Sequence, residues 1–225
     1  MLVEKHKDNM LINSDCLKVD LNQKVDLIIT DPPYFILPKG KKSFKNSYNF
    51  DWDNFQDFND FKTFTKEWFK KYFEILKDNS FMYIFWSQEY FKEGFEIFNP
   101  SRVIFYNYSN LVLGGNGDFA YDYEPIFVIK KGNPKLIKGK HTSILKFTKP
   151  QSNFKKDKLL HPTQKPLELI KHLIQISNIP ESGIILDMFA GSGTTLKASK
   201  DLGFEYIGIE KSQEYIEIIK NRLDD

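Results

Sequence analysis

An α/β fold, built on a mostly parallel sheet with an antiparallel edge, is what this 225-residue sequence predicts. Three observations carry the prediction. Short apolar runs at residues 25–29, 81–86, 184–186 and 206–209 read as buried parallel strands. Segments with apolar residues at helical spacing separate them. Residues 103–108 and 125–129, both strand-like and close in sequence, suit an antiparallel pair.

The elements follow in order. Met10-Leu11-Ile12-Asn13 is a short strand leading to Ser14-Asp15-Cys16, where the acid is equally a cofactor contact and a helix N-cap. The next strand ends at Thr30-Asp31-Pro32-Pro33-Tyr34, because two prolines cannot continue a ladder. An acid, two rigid residues and an aromatic ring are thereby displayed at a strand's carboxyl end, the edge where open α/β sheets bind ligands. Residues 35–60 read as a mobile loop in which Phe44, Tyr48, Phe50 and Trp52 alternate with Lys39, Lys41, Lys42 and Lys45. A helix over 57–77 sets Phe61, Phe64, Trp68, Tyr72 and Ile75 on one face as core packing, and Asp78-Asn79 ends it. After the strand at 81–86, residues 88–98 are helical. Gly114-Gly115-Asn116-Gly117 separates the two antiparallel strands, and Gly132, Pro134, Gly139 and Pro150 then exclude long regular elements. Pro166 opens a helix over 166–177. A strand at 184–187, a helix ending by Gly203, a strand ending at Glu210 and a last helix capped by Ser212 complete the chain.

Bulk composition narrows the function classes. Hydrophobic content of 41% and charged content of 28% are globular values. The single cysteine, Cys16, rules out an intrachain disulfide, the four His form no ligand pattern, and no metal is expected. The polar N-terminus and the lack of any apolar run near ~20 residues point to a cytoplasmic protein. The net charge of +2 hides a strong local imbalance. Residues 130–158 hold ten Lys against one acid, Asp157. With the lysines after Tyr34, this is the electrostatic footprint of a nucleic-acid partner. Lys39, Lys41, Lys42, Lys45, Lys138, Lys140, Lys146 and Lys149 are the candidate DNA contacts.

Asp31-Pro32-Pro33-Tyr34 suits one particular chemistry. The amino group of a nucleobase is a poor nucleophile because its lone pair is delocalised into the ring. Two acceptors on its N–H bonds free that pair. Asp31 offers a carboxylate, and Pro32 a carbonyl held in place by the fixed φ of proline. Tyr34 offers a ring on which a base that has left its duplex can stack.

The second informative stretch is the strand ending at Asp187, then Phe189-Ala190-Gly191-Ser192-Gly193-Thr194-Thr195 opening a helix, then the strand ending at Glu210. Strand, glycine loop, helix, strand and acid form the mononucleotide-binding half of a Rossmann sheet. Gly191 and Gly193 allow close backbone approach to a ligand. Glu210 stands at the distance of about 20 residues expected for an acid on ribose hydroxyls. The dinucleotide fingerprint fails, because Thr194, Thr195 and Leu196 follow where a third small residue is needed. A nucleoside without a pyrophosphate fits better, with its carboxylate at the helix N-terminus near Thr194. S-adenosyl-L-methionine is such a ligand.

Together these stretches resemble the DNA adenine-N6 amino-methyltransferases, in the β group of the DPPY-containing family. Asp31-Pro32-Pro33-Tyr34 is similar to their catalytic motif, and the segment from Asp187 to Thr195 to their S-adenosylmethionine motif. His161-Pro162-Thr163-Gln164-Lys165-Pro166 is similar to a further cofactor-pocket motif. Met188 departs from the family, which usually has proline there.

The resemblance implies a Rossmann-like, circularly permuted methyltransferase fold with a seven-stranded sheet, in one domain over 1–225. It implies Asp31, Pro32, Pro33 and Tyr34 as catalytic. It implies Asp15, Cys16, Asp31, Thr163, Lys165, Asp187, Phe189, Ala190, Gly191, Ser192, Gly193, Thr194, Thr195 and Glu210 as cofactor-binding. Residues 131–160 become a short basic target-recognition segment. Double-stranded DNA is the implied partner; a homodimer and a cognate restriction endonuclease are compatible with it. N4-cytosine methylation and a non-catalytic DNA-binding subunit are the competing readings. Serine is more frequent at the position of Asp31 in the family's cytosine enzymes, which favours adenine.

Overall fold

A computed structural model describes residues 2–6, 9–35, 55–110, 121–151 and 164–224. Along the chain the elements are β1 (Leu2–His6), β2 (Asn9–Asn13), a 3-10 turn (Cys16–Lys18), β3 (Val25–Thr30), α1 (Phe58–Ile75), β4 (Leu76–Phe85) and α2 (Phe91–Phe98). There follow β5 (Arg102–Tyr108), β6 (Tyr123–Lys131), β7 (Ile144–Phe147), α3 (Leu167–Ile176), β8 (Ile184–Asp187), α4 (Thr194–Asp201), β9 (Glu205–Glu210) and α5 (Gln213–Asp224).

Among the described residues, the nine strands join one sheet in the order β1-β2-β9-β8-β3-β4-β6-β5-β7. The stretch from β2 to β4 is parallel throughout. Strand β6 runs antiparallel to both β4 and β5, the expected antiparallel edge. The seven expected strands are β2, β9, β8, β3, β4, β6 and β5. Two more extend them: β1 pairs antiparallel with β2, and β7 pairs parallel with β5. Hydropathy does not announce either strand, since each is short, mixed in polarity and at an edge.

Burial follows the period-two alternation of strands. In β3, Ile28 faces one side of the sheet with Met82 and Ile84, against Phe61, Trp68 and Tyr72 of α1. Leu27 and Ile29 face the other side, against Leu169, Ile170, Leu173 and Ile174 of α3. The aromatic stripe of α1 is core, as its spacing predicts. Helix α1 starts where the Asp57 carboxylate accepts from the N–H groups of Asn59 and Asp60. It ends two residues earlier than predicted, and β4 begins at once with Leu76, so Asp78 and Asn79 belong to the strand. Helix α2 likewise begins later than residue 88.

This topology positions the site. Strands β3 and β8 are parallel neighbours near the middle of the sheet. From β3 the chain goes on to β4; from β8 it goes on to β9, on the opposite side. Their carboxyl ends therefore flank a topological switch point, where crevices open in α/β sheets. Thr30 Oγ1 donates to Asp187 Oδ1 at 3.1 Å across it, joining residues 157 apart in sequence.

Candidate active site

A cavity of about 320 Å³ opens at this edge. The predicted cofactor residues Asp15, Cys16, Asp31, Lys165, Asp187, Phe189, Ala190, Gly191, Ser192, Thr194, Thr195 and Glu210 line it, with Pro32, Pro33 and Tyr34. Thr163 lies outside the described residues, as do Lys39, Lys41, Lys42 and Lys45.

The glycine loop is built by its own hydrogen bonds. Glu210 Oε2 accepts from Gly191 N at 2.8 Å, and Oε1 from Ser212 N at 2.7 Å. Burial pushes the Glu210 carboxyl above its ordinary value, against the pull of those N–H donors. Gly191 and Gly193 both have left-handed backbones, with φ of +51° and +77°. A Cβ on Gly193 would lie 2.9 Å from Ile219 Cγ1, so packing against α5 as well as φ demands glycine there. Gly193 does not itself line the cavity; its part is to shape the turn. Arg222, unremarked in the sequence, reaches back from α5 to Ser192 O at 3.1 Å and Thr194 Oγ1 at 2.9 Å. The N-cap of α4 makes no side-chain hydrogen bond, so its first turn offers N–H groups to an anion. Asp187 Oδ1 accepts from Phe189 N at 3.1 Å, and burial pushes its carboxyl up to about 7.

Asp15 acts as the cap that one sequence reading expected, accepting from Leu17 N at the start of the 3-10 turn, and it stands on the cavity wall. Helix α1 fixes that turn from behind: Tyr72 donates to Cys16 O at 2.6 Å and Lys71 to Leu17 O at 2.8 Å. The Cys16 thiol is buried and pushed up to about 12, so it serves as wall and not as nucleophile. Acids at two strand ends, an aromatic wall at Phe189 and a bare helix N-terminus suit the hydroxyls, adenine and carboxylate of S-adenosylmethionine.

At the other side of the cavity stands a group of four polar residues. Lys165 Nζ lies 2.7 Å from Asp31 Oδ2 and 2.9 Å from Glu124 Oε1. The Tyr34 hydroxyl contacts Asp31 Oδ1 and, at 2.8 Å, Glu124 Oε1. Burial works to lower the Lys165 ammonium, but the two carboxylates outweigh it and hold its pKa above the ordinary lysine value. Burial and the same two anions push the Tyr34 phenol well up, so it stays protonated. Lys165 therefore borders the cavity with its ammonium committed to two carboxylates. Glu124, like Arg222, is a residue that sequence reasoning missed. Its signal is an acid beside a proline at a strand end, the pattern that marked Asp31.

A second cavity, about 200 Å³, shares Tyr34, Gln164 and Lys165 with the first and continues to Ser87, Tyr106, Tyr108 and Lys149. The basic segment divides around it. Strand β6 descends from the site, so Lys131, its last residue, pairs with Ser80, halfway along β4. Ile137 N donates to Ile176 O at the far end of α3. Lys138 and Lys140 thus sit at the edge opposite the site. Strand β7 then returns, bringing Lys146 beside Asn107 and Lys149 over the Tyr108 ring at 5.1 Å. Burial first, then the Lys165 charge, lowers the Lys149 ammonium.

Among relatives, type II methyltransferase M.HinfI of Haemophilus influenzae is 30% identical over 96% of this chain and 68% of its own length. M.HpaI of Haemophilus parainfluenzae is 30% identical over 96% of this chain and 74% of its own. The solved structure of M1.HpyAVI in complex with SAM is 28% identical, with a TM-score of 0.72, and covers 96% of this chain and 98% of that one. The cytosine-N4-specific PvuII DNA methyltransferase shares the fold, with a TM-score of 0.71 at 14% identity over 96% of this chain and 86% of that one. The model of the DNA methylase family N6_N4_Mtase matches residues 25–221, from the first residue of β3 into α5. With the acid, glycine loop and proline motif of that match facing one crevice, this chain belongs to the DNA methylase family.

Proposed function

We propose that this DNA methylase transfers a methyl group from S-adenosylmethionine to the exocyclic N6 of an adenine flipped out of double-stranded DNA. One observation carries the reading: Asp31, Pro32 and Tyr34 follow the carboxyl end of β3 on the wall of the larger cavity, and Tyr34 also lines the second. Bound S-adenosylmethionine supplies an activated methyl group. The glycine loop, Asp15 and Glu210 hold it in the larger cavity. The second cavity receives the base, with Tyr34 at its wall. Asp31 and the Pro32 carbonyl accept from the amine, so its lone pair points at the donor; positioning supplies much of the rate.

The fold is common to N4-cytosine enzymes, PvuII among them, so it does not choose the base. Aspartate at position 31 does, being the adenine-type residue of the resemblance. The relatives' type II designation supports a restriction–modification setting; a cognate endonuclease, a homodimer and a cytoplasmic location belong to the same proposal and rest on the sequence reading alone. Residues 131–160 act as the target-recognition segment through their site-facing part, Lys146 and Lys149.

The test is transfer from labelled S-adenosylmethionine to unmethylated DNA, with digestion to nucleosides and chromatography. Label in N6-methyladenine is expected. Label in N4-methylcytosine overturns the base, and no label overturns the activity. Asp31→Ala is expected to abolish transfer while still binding the cofactor.

A further inference from the structure

Glu124 belongs to none of the motifs, yet it completes the charge balance at Asp31. It stands second in β6, in register with Tyr106 of β5, and Trp86 N is held to the adjacent Pro125 O at 3.0 Å. Its side chain is 9% exposed, as is that of Lys165, so the pair is shielded from solvent. The charged and titratable groups facing it are Asp31 and Tyr34 after β3, Lys165 before α3, Tyr108 on β5 and Lys149 after β7.

Lys165 is one cation between two anions. Against Asp31 alone it would cancel the charge that the target amine has to meet. With Glu124 ionised, the group keeps one net negative charge. Glu124 also accepts from both Lys165 and Tyr34, which relieves Asp31 of being their sole partner. During transfer the nitrogen lone pair forms the N–C bond and the S–C bond breaks, its electron pair staying on sulphur. The nitrogen carries the positive charge until it gives a proton to Asp31. A fixed negative charge nearby is favoured more in that transition state than before it.

We propose that Glu124 is the positioning residue that keeps this site anionic, holding Lys165 and Tyr34 so that Asp31 meets the amine with a net negative charge behind it. The inference rests on the methyltransferase reading above. Burial pushes the Glu124 carboxyl above its ordinary value, against the pull of Lys165 and with the push of Asp31. The rate therefore rises with pH as Glu124 loses its proton, at a pH above the ordinary glutamate range.

The experiment measures single-turnover methyl transfer from pH 5 to 9, with DNA and S-adenosylmethionine saturating, for wild type, Glu124→Gln and Glu124→Asp. Cofactor affinity is measured alongside. A carboxyl carbon-13 titration of the cofactor-free protein follows the glutamate signal that Glu124→Gln removes. Expected are a Glu124→Gln rate lower by about tenfold to a hundredfold at pH 8, for a charge lost several ångströms away, and unchanged cofactor affinity. The acid limb is expected to vanish in Glu124→Gln and persist in Glu124→Asp, and the carbon-13 signal to titrate above the ordinary glutamate range.

Glu124→Gln at the wild-type rate overturns the proposal. So does a slowed Glu124→Gln that keeps the acid limb, since that marks a merely structural role. Should Glu124→Gln not fold, Glu124→Asp decides: a retained limb supports the proposal and a lost limb overturns it. A wild-type protein that methylates no DNA takes down the functional reading and this inference together. An active wild type matched by Glu124→Gln takes down this inference alone.

Discussion

Replacing Lys165 with methionine tests whether the ion cluster is held together as its geometry indicates. The ammonium is 2.7 Å from Asp31 and 2.9 Å from Glu124, with side-chain exposures of 9%, 20% and 9% for Lys165, Asp31 and Glu124. Methionine keeps the length and the apolar stem but removes the charge, leaving the buried Glu124 carboxylate and the partly buried Asp31 carboxylate with no cation between them. Breaking a buried pair on one side costs about 3–5 kcal/mol. The ammonium also lies 5.1 Å from the Phe85 ring and 5.7 Å from the Tyr34 ring, contacts worth roughly 0.5–2 kcal/mol. At about 2–4 °C per kcal/mol for a chain of this size, the two losses together should make Lys165→Met melt roughly 7–28 °C below wild type at pH 8. The gap has a definite pH dependence. The folded pKa of Lys165 is raised, so its stabilisation is present in full below the ordinary lysine value and fades only as pH rises through the raised one. On acidification the abandoned Glu124 carboxylate, already pushed up by burial, takes up a proton, and the gap narrows. Calorimetric melting at pH 5, 7 and 8 checks both the size and the trend. A variant that melts with wild type at pH 8, or whose deficit grows toward pH 5, would refute this account of the cluster.

Other perturbations address the remaining parts of the site. Gly193→Ala places a Cβ 2.9 Å and 3.2 Å from the Ile219 Cγ atoms at a φ of +77°. Backbone strain of about 1–2 kcal/mol and overpacking of about 1–3 kcal/mol should lower the urea midpoint and weaken cofactor binding; a midpoint at the wild-type value argues against the turn geometry. Asp187 titrates near 7 when folded against an ordinary 3.8, so the folded state holds its proton more tightly and stability falls as pH rises between those values. Asp187→Asn should abolish that fall, worth at most about 4 kcal/mol, and equal pH slopes in urea titrations would exclude it. Lys146→Gln should reduce the salt slope of DNA binding by about 0.9, one phosphate contact. The pair Lys138→Gln and Lys140→Gln should leave the slope unchanged; the reverse pattern would put DNA on the other edge of the sheet.

The functional stretches were legible because each is encoded within a dozen residues. A buried apolar run followed by Pro32-Pro33 can only be a strand that stops, so Asp31 and Tyr34 were placed at a strand end without any partner strand. The glycine loop carries its own turn chemistry, and Glu210 its own spacing. The stripe of α1 was read from helical periodicity alone. Boundaries were less secure at residue 76, where helix passes directly into strand and no breaker marks the change.

What the residues determined by themselves was local: an acid and prolines ending one strand, a glycine loop ending another, and a lysine-rich segment between. What tertiary structure alone decided was direction and adjacency. Parallel pairing of β3 with β8 brings Thr30 to Asp187 and joins the two motifs in one crevice. The antiparallel course of β6 puts its beginning at the site, so Glu124 reaches Lys165. The same course carries Lys138 and Lys140 away and lets β7 return Lys146 and Lys149. Strand direction depends on pairings between residues far apart in the chain, and composition, periodicity and spacing are blind to those.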